Sequence, residues 1–182
     1  MTSVGVMALR MRRPLLAAGA ALLALTLATA CSPTPAPTPS PTGFASEEEA
    51  FAAAEATYRA YVDALNNVDL ADPATFEPVY ETSTGDARDA IAKELSEMHA
   101  KGWAVGGATT PTLVSLASAD PSTGVELNVC SDVSKVTLID AGGVSMVSPD
   151  RPDVQALTVV VTYNANSPLV MSISSRTGPP SC

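Results

Sequence analysis

The spacing of apolar residues changes near Gly102, and this change limits the fold more than any other feature of the chain. Before Gly102, apolar side chains recur every three or four residues, which is the spacing of one face of a helix. After Gly102, apolar and polar residues alternate, which indicates strands with one buried face. Helices followed by a run of strands are typical of an α+β domain. We therefore expect N-terminal helices packed in one curved antiparallel sheet.

The first helix is the most clearly marked element. It begins at Ser46, where the sequence SEEE predicts a capping box: the Ser46 side chain accepts from the amide of Glu49, and Glu49 reaches back. The three acidic residues also suit the positive end of the helix dipole. The helix should end near residue 67. Its apolar face consists of Phe51, Ala54, Tyr58, Tyr61, Val62 and Leu65.

Two further helices and a series of strands follow. Asp72 and Pro73 begin a short helix, with Asp72 as its cap. A third helix follows residues 83–86 and stops at Gly102, a residue that readily ends helices. Strands are predicted over residues 112–116, 125–130, 135–139, 144–147, 154–163 and 169–174.

The first 30 residues have the pattern of a secretory signal peptide. Three arginines, the last of them Arg13, precede an apolar run from Leu15 to Ala28. This run spans about 14 residues, whereas a membrane-crossing helix needs about 20. Cleavage is therefore expected, with an uncleaved transmembrane anchor as the alternative.

The segment LATAC, which ends at Cys31, resembles the lipobox of bacterial lipoproteins, although Ala28 stands where leucine is more common. The resemblance implies cleavage before Cys31 and a diacylglyceryl group on its thiol. It also implies a location at the outer face of the cytoplasmic membrane. A plain secretory signal, with Cys31 as an ordinary cysteine, is the alternative.

Residues 31–43 connect this anchor to the rest of the chain. Proline alternates with small residues in the sequence SPTPAPTPSPTG, which favours an extended polyproline II conformation. At about 3.1 Å per residue, the segment reaches roughly 35 Å. We interpret it as a stalk that holds a single domain, residues 44–182, away from the membrane.

Charge excludes several classes of partner. All 19 acidic residues and seven of the ten basic residues follow Cys31, so the mature chain carries a net charge of −12. Such a charge disfavours binding to nucleic acid or to anionic lipid. One histidine is too few for a histidine-rich metal site, and neither a phosphate-binding glycine loop nor a G-x-S-x-G nucleophile motif occurs. We predict no cofactor and no metal.

The three cysteines are a candidate for lipidation, Cys31, and two candidates for a disulfide, Cys130 and Cys182. If Cys31 is acylated, Cys130 and Cys182 remain as an even pair in a chain that matures outside the cytoplasm, where disulfides form. We predict a bridge between them. Two free thiols are the alternative, and a zinc site is disfavoured because no further ligands cluster nearby.

A second resemblance concerns the folded domain. The segment VCSDVS, residues 129–134, with Gly142-Gly143 after it and the terminal Cys182, is similar to a C-x-D-x-S run in uncharacterised actinobacterial lipoproteins. Those proteins have NTF2-like domains, which resemble ketosteroid isomerase. The resemblance implies a cone of sheet around a helix, with a mouth that holds a small ligand. A cystatin-like helix-on-sheet fold is the alternative.

Three residues are candidates for catalysis in such a cone. Asp132 lies at the end of a strand, where it is either a cavity acid or an acceptor for Ser134. Glu55 lies at the edge of the first helix's apolar face, where it either reaches the cone or pairs with Arg59. His99 is either a general base or a boundary residue. In each case the structural role is favoured.

Aromatic residues are the candidate pocket lining. Tyr58 and Tyr61 lie on the apolar face of the first helix, and Trp103 follows the third helix. Each either lines a pocket or packs in the core, and the core is favoured.

Three hypotheses for function remain. The first is a membrane-anchored, non-enzymatic domain that binds an envelope protein or a small apolar ligand. The second is an isomerase- or dehydratase-type enzyme with a carboxylate base, and the third is a structural spacer. By analogy with the fold family, the domain can also be expected to form a homodimer.

Overall fold

Three helices precede six strands in the computed structural model, which describes residues 43–164 and 167–182. The predicted signal peptide, Cys31 and the stalk up to residue 42 lie outside the described residues. The predicted order of elements, helices first and antiparallel strands afterwards, is confirmed. None of the helices in the described part is long and apolar enough to cross a membrane.

Helix α1, Glu47–Asn66, begins as the sequence predicts. The Ser46 hydroxyl accepts from the amide of Glu49 at 3.2 Å. The Glu49 carboxylate accepts from the amide of Ala45 at 3.0 Å, one residue earlier than the usual capping box. The first contact satisfies a first-turn amide that has no helical partner, and the second satisfies the amide of the residue before the N-cap.

The second and third helices follow closely. A 3₁₀ turn, Pro73–Phe76, leads into α2, Glu77–Glu81, and the Asp72 side chain caps the turn by accepting from the amide of Ala74 at 3.0 Å. Helix α3 covers Gly85–Ala100. Gly102 ends it in the left-handed region, with φ of +66°, which glycine adopts without steric cost.

Six strands in the described part of the chain form two antiparallel sheets. The strands are β1 Ala104–Gly106, β2 Thr110–Asp120, β3 Gly124–Asp132, β4 Thr137–Ile139, β5 Val154–Asn164 and β6 Ser167–Ser175. The large sheet has the order β2-β3-β5-β6, and β1 pairs with β4 in a separate two-stranded sheet.

The strand predicted over residues 144–147 is wrong. One oxygen of the Asp140 carboxylate accepts from the amides of both Gly142 and Val144 at 2.8 Å, which builds a tight turn. Beyond the turn the chain forms a loop, because Val144 and Met146 remain 61% and 41% exposed and no burial stabilises a strand. Only an isolated bridge between Ile139 and Ser145 remains of the expected pairing.

The core lies between α1 and the inner face of the large sheet. Val125, Leu127 and Val129 are at most 1% exposed, which confirms the predicted alternation along β3. They pack in one cluster with α1 residues that include Tyr58 and Tyr61. The sheet is open: no described strand joins β2 to β6, so the molecule has the predicted α+β architecture without a closed cone.

A disulfide joins Cys130 to Cys182, as predicted, with the Cα atoms 5.6 Å apart. Cys130 lies on β3 between the inward-facing Val129 and Ser131, so its side chain points to the outer face of the sheet. The bridge therefore holds the C-terminus of the chain against that outer face.

Candidate functional site

An apolar pocket of about 200 Å³ lies between the end of α1, the middle of α3 and strand β1. Its walls come from segments that are far apart in the sequence. The lining residues are Leu65, Asn66, Val68, Leu70, Ile91, Glu94, Leu95, Met98, Val105, Gly106, Gly107, Thr109 and Val136.

Helix α3 supplies one wall through regular spacing. Ile91, Leu95 and Met98 are separated by four and three residues, so they share one face of the helix. Leu95 is 3% exposed and forms a small second core with Leu70 and Phe76. The wall is therefore the outer edge of a packed cluster.

The end of α1 is attached to the opposite wall by a pair of hydrogen bonds. The Asn66 side-chain amide donates to the Thr109 carbonyl at 2.9 Å, and its oxygen accepts from the Thr109 amide at 2.8 Å. Asn66 thus imitates a strand neighbour of Thr109. These two bonds hold one rim of the pocket and use the polar groups of that side chain.

Glycine forms the third wall because backbone lies against backbone there. Gly107 has φ of +77°, and a Cβ at this position would collide with the carbonyl oxygen of Lys135. The close approach places Val136 in the pocket lining beside Gly106. A side chain at position 107 would therefore push the two segments apart.

His99 does not line the pocket. Its Nδ1 lies 2.7 Å from the Leu70 carbonyl oxygen, and because a carbonyl only accepts, Nδ1 carries the donated hydrogen. The ring packs edge-on against Phe76, with 6.3 Å between centroids. His99 thus connects α3 to the segment before the 3₁₀ turn while remaining solvent-exposed.

Neither candidate carboxylate lines the pocket. Asp132 accepts from the amide of Ser134 at 2.9 Å. Hydrogen bonds from the Ser134 hydroxyl and amide hold the pKa of Asp132 below its usual range. Glu55 forms an ion pair with Arg59, with 2.7 Å between oxygen and nitrogen. Both side chains therefore have the structural contacts that their sequence neighbours offer.

The three candidate aromatic residues lie at different depths. Tyr58 is 2% exposed, its hydroxyl is 3.4 Å from the Ser131 hydroxyl, and burial raises its pKa. Burial also raises the pKa of Tyr61, which lines a neighbouring depression of about 350 Å³ beside the pocket. Trp103 is half-buried against the second core, with the Lys101 ammonium 4.7 Å from its ring centre.

The pocket residues themselves were not identified from the sequence. The sequence does mark one of them, Glu94. It follows Ile91 by three residues and precedes Met98 by four, so it places a carboxylate on the apolar face of α3. No comparable pattern marks Gly107 or Val136. Within residues 43–164 and 167–182, no three potential metal-binding side chains come together.

Comparisons with known proteins give no match for this chain among protein families, curated proteins or solved structures.

Proposed function

We propose that the protein is a lipid-anchored, extracytoplasmic binding protein, and that its domain binds a small apolar ligand in the pocket between α1, α3 and β1. The observation that carries the proposal is the pocket itself: twelve of its thirteen lining residues are uncharged, and most of these are aliphatic. A spacer domain needs no such cavity.

The pocket's size limits the ligand. Drug-sized ligands occupy pockets of roughly 300–1,000 Å³. An apolar cavity of about 150 Å³ in another protein holds one benzene molecule. A volume of about 200 Å³ therefore suits a single ring or a short branched chain. A partner protein that inserts one apolar side chain is the alternative.

The position of the pocket suits a ligand in the aqueous envelope. The described chain begins at the N-terminal end of α1, where the Phe44 amide donates to the Pro121 carbonyl at 2.9 Å and the Phe44 ring packs on Tyr163. The pocket lies at the C-terminal end of α1. A helix of 20 residues is about 30 Å long, so the pocket is far from the point where the proposed stalk joins.

We also propose that the domain is an open variant of the NTF2-like cone. The long α1 crosses the inner face of an antiparallel sheet, and α3 packs near β6. A cystatin-like fold also places one helix on a sheet. The additional α3 and strand β1, which line the pocket, favour the NTF2-like proposal.

The enzyme hypothesis is disfavoured by the positions of its candidate residues. A base in this fold requires a carboxylate inside the apolar cavity, where desolvation raises its pKa. Asp132 and Glu55 are instead paired with Ser134 and Arg59, away from the pocket. Glu94 does line the pocket, but it is exposed to solvent rather than enclosed in the apolar cavity.

Native mass spectrometry of the exported protein tests the proposal. We expect a non-covalent mass of small-molecule size that disappears on denaturation. Val105→Trp fills the pocket from β1 and should remove that mass. Ile139→Trp is the matched control, because Ile139 is similarly exposed on the partner strand β4 but does not line the pocket. An equal ligand load on both variants would contradict the proposed site.

A further inference from the structure

We propose that the ligand is a small organic cation, an ammonium ion attached to an apolar group about the size of one ring, whose charge pairs with Glu94. This inference rests on the proposed function. It adds the charge of the ligand, which the apolar walls alone do not determine.

Glu94 is the one charged residue among the pocket's lining residues. Its carboxylate forms no hydrogen bond and no ion pair with any residue in the described part of the chain. The side chain is solvent-exposed and also borders the two depressions on either side of the pocket. Glu94 therefore lies at the mouth of the pocket, exposed to solvent and with no cationic partner among the described residues.

Two other polar side chains near the mouth already have partners. The Asn66 side chain is paired with the Thr109 backbone through both its oxygen and its nitrogen. Arg151, which borders one adjacent depression, donates through Nη2 to the carbonyls of Val133 and Val136 at 2.8 and 3.0 Å. No ion pair joins Arg151 to Glu94 among the described residues.

Among the residues that line the pocket, Glu94 alone carries a charge, so charge selection inside the pocket depends on it. A bound anion would place like charges together at the mouth of a domain that is strongly acidic overall. A neutral ligand would leave the carboxylate hydrated as it is in the free protein. A cation whose apolar part fills the pocket gains both burial of that part and an ion pair.

Three probes that share one ring but differ in charge test this inference. They are 2-phenylethylammonium, 2-phenylethanol and phenylacetate. The protein is the exported chain with Cys31→Ser, which removes acylation and keeps every other residue. Binding is measured by titration with two-dimensional NMR, using the amides of Gly106 and Gly107 as reporters inside the pocket and that of Gly178 as a distant reference.

We expect the ammonium to bind about threefold more tightly than the alcohol, which is the range of an exposed ion pair, and phenylacetate to bind most weakly. Glu94→Gln should remove the difference between ammonium and alcohol. Glu97→Gln should retain it, because Glu97 lies on the same helix with the same charge but does not line the pocket.

The outcomes separate this inference from the proposed function. If the alcohol binds as tightly as the ammonium, or if Glu94→Gln keeps the preference for the ammonium, the inference of a cationic ligand is wrong. The proposed function, binding of an apolar ligand in this pocket, is then retained. If none of the three probes shifts the two reporter amides, both the ligand class and the proposed binding function fail at this site.

Discussion

Removing the disulfide tests how the C-terminus contributes to stability. Cys130→Ala with Cys182→Ala opens a loop whose ends are 52 residues apart. The chain-entropy relation gives about 4 kcal/mol at 25 °C for a loop of this length. This value is an upper estimate here, because the released C-terminus also gains freedom in the native state.

The structure shows what would be released. Past Arg176, whose amide donates to the Ala156 carbonyl at 2.8 Å, the tail is held by the bridge and by two bonds from the Arg176 guanidinium to the Gly178 and Pro180 carbonyls. Much of the tail is solvent-exposed. We therefore expect the free energy of unfolding to fall by about 2–4 kcal/mol.

Urea unfolding, followed by circular dichroism, measures both the loss and its cause. If the bridge acts on the unfolded chain, the m-value should rise in the double variant, because the opened chain exposes more surface. Reduction of the unsubstituted protein should reproduce the effect, and the reductant should not change the double variant. A loss below about 1 kcal/mol with an unchanged m-value would refute the entropic argument.

Three further predictions concern single residues. Cys31→Ala should abolish incorporation of radiolabelled palmitate into the protein, measured by gel autoradiography; a labelled variant would contradict lipid attachment at Cys31. Ser46→Ala should lower the free energy of unfolding by about 1 kcal/mol because it removes the N-cap of α1, whereas Ser46→Asp, which retains an acceptor, should cost much less. Asp132→Asn should weaken the fall in the free energy of unfolding at low pH. Because the pKa of Asp132 is lowered in the folded protein, its contribution to stability is present above pH about 4 and is lost as the pH falls through the folded-state pKa. Unfolding measured from pH 6 to pH 2 checks this, and identical acid limbs would show that the Ser134 contacts do not stabilise the fold.

Local patterns predicted much of the fold because the forces behind them act between near neighbours. The Ser46 cap depends on a contact three residues away, and the alternation of Val125, Leu127 and Val129 depends only on strand geometry. Residues 144–147 show where this reasoning fails. Their apolar character suits a strand, but Val144 and Met146 are 61% and 41% exposed, so the burial that would stabilise a strand is absent.

The amino-acid sequence by itself determined that helices precede antiparallel strands, which faces of α1 and β3 are buried, and that Cys130 pairs with Cys182. Only the tertiary structure decided where a cavity forms. The pocket requires Leu65, Glu94, Gly107 and Val136 to meet, and their distances along the chain carry no periodic signal. Whether these residues come close together depends on how the helices and sheets pack, and that packing results from many contacts between segments remote in sequence.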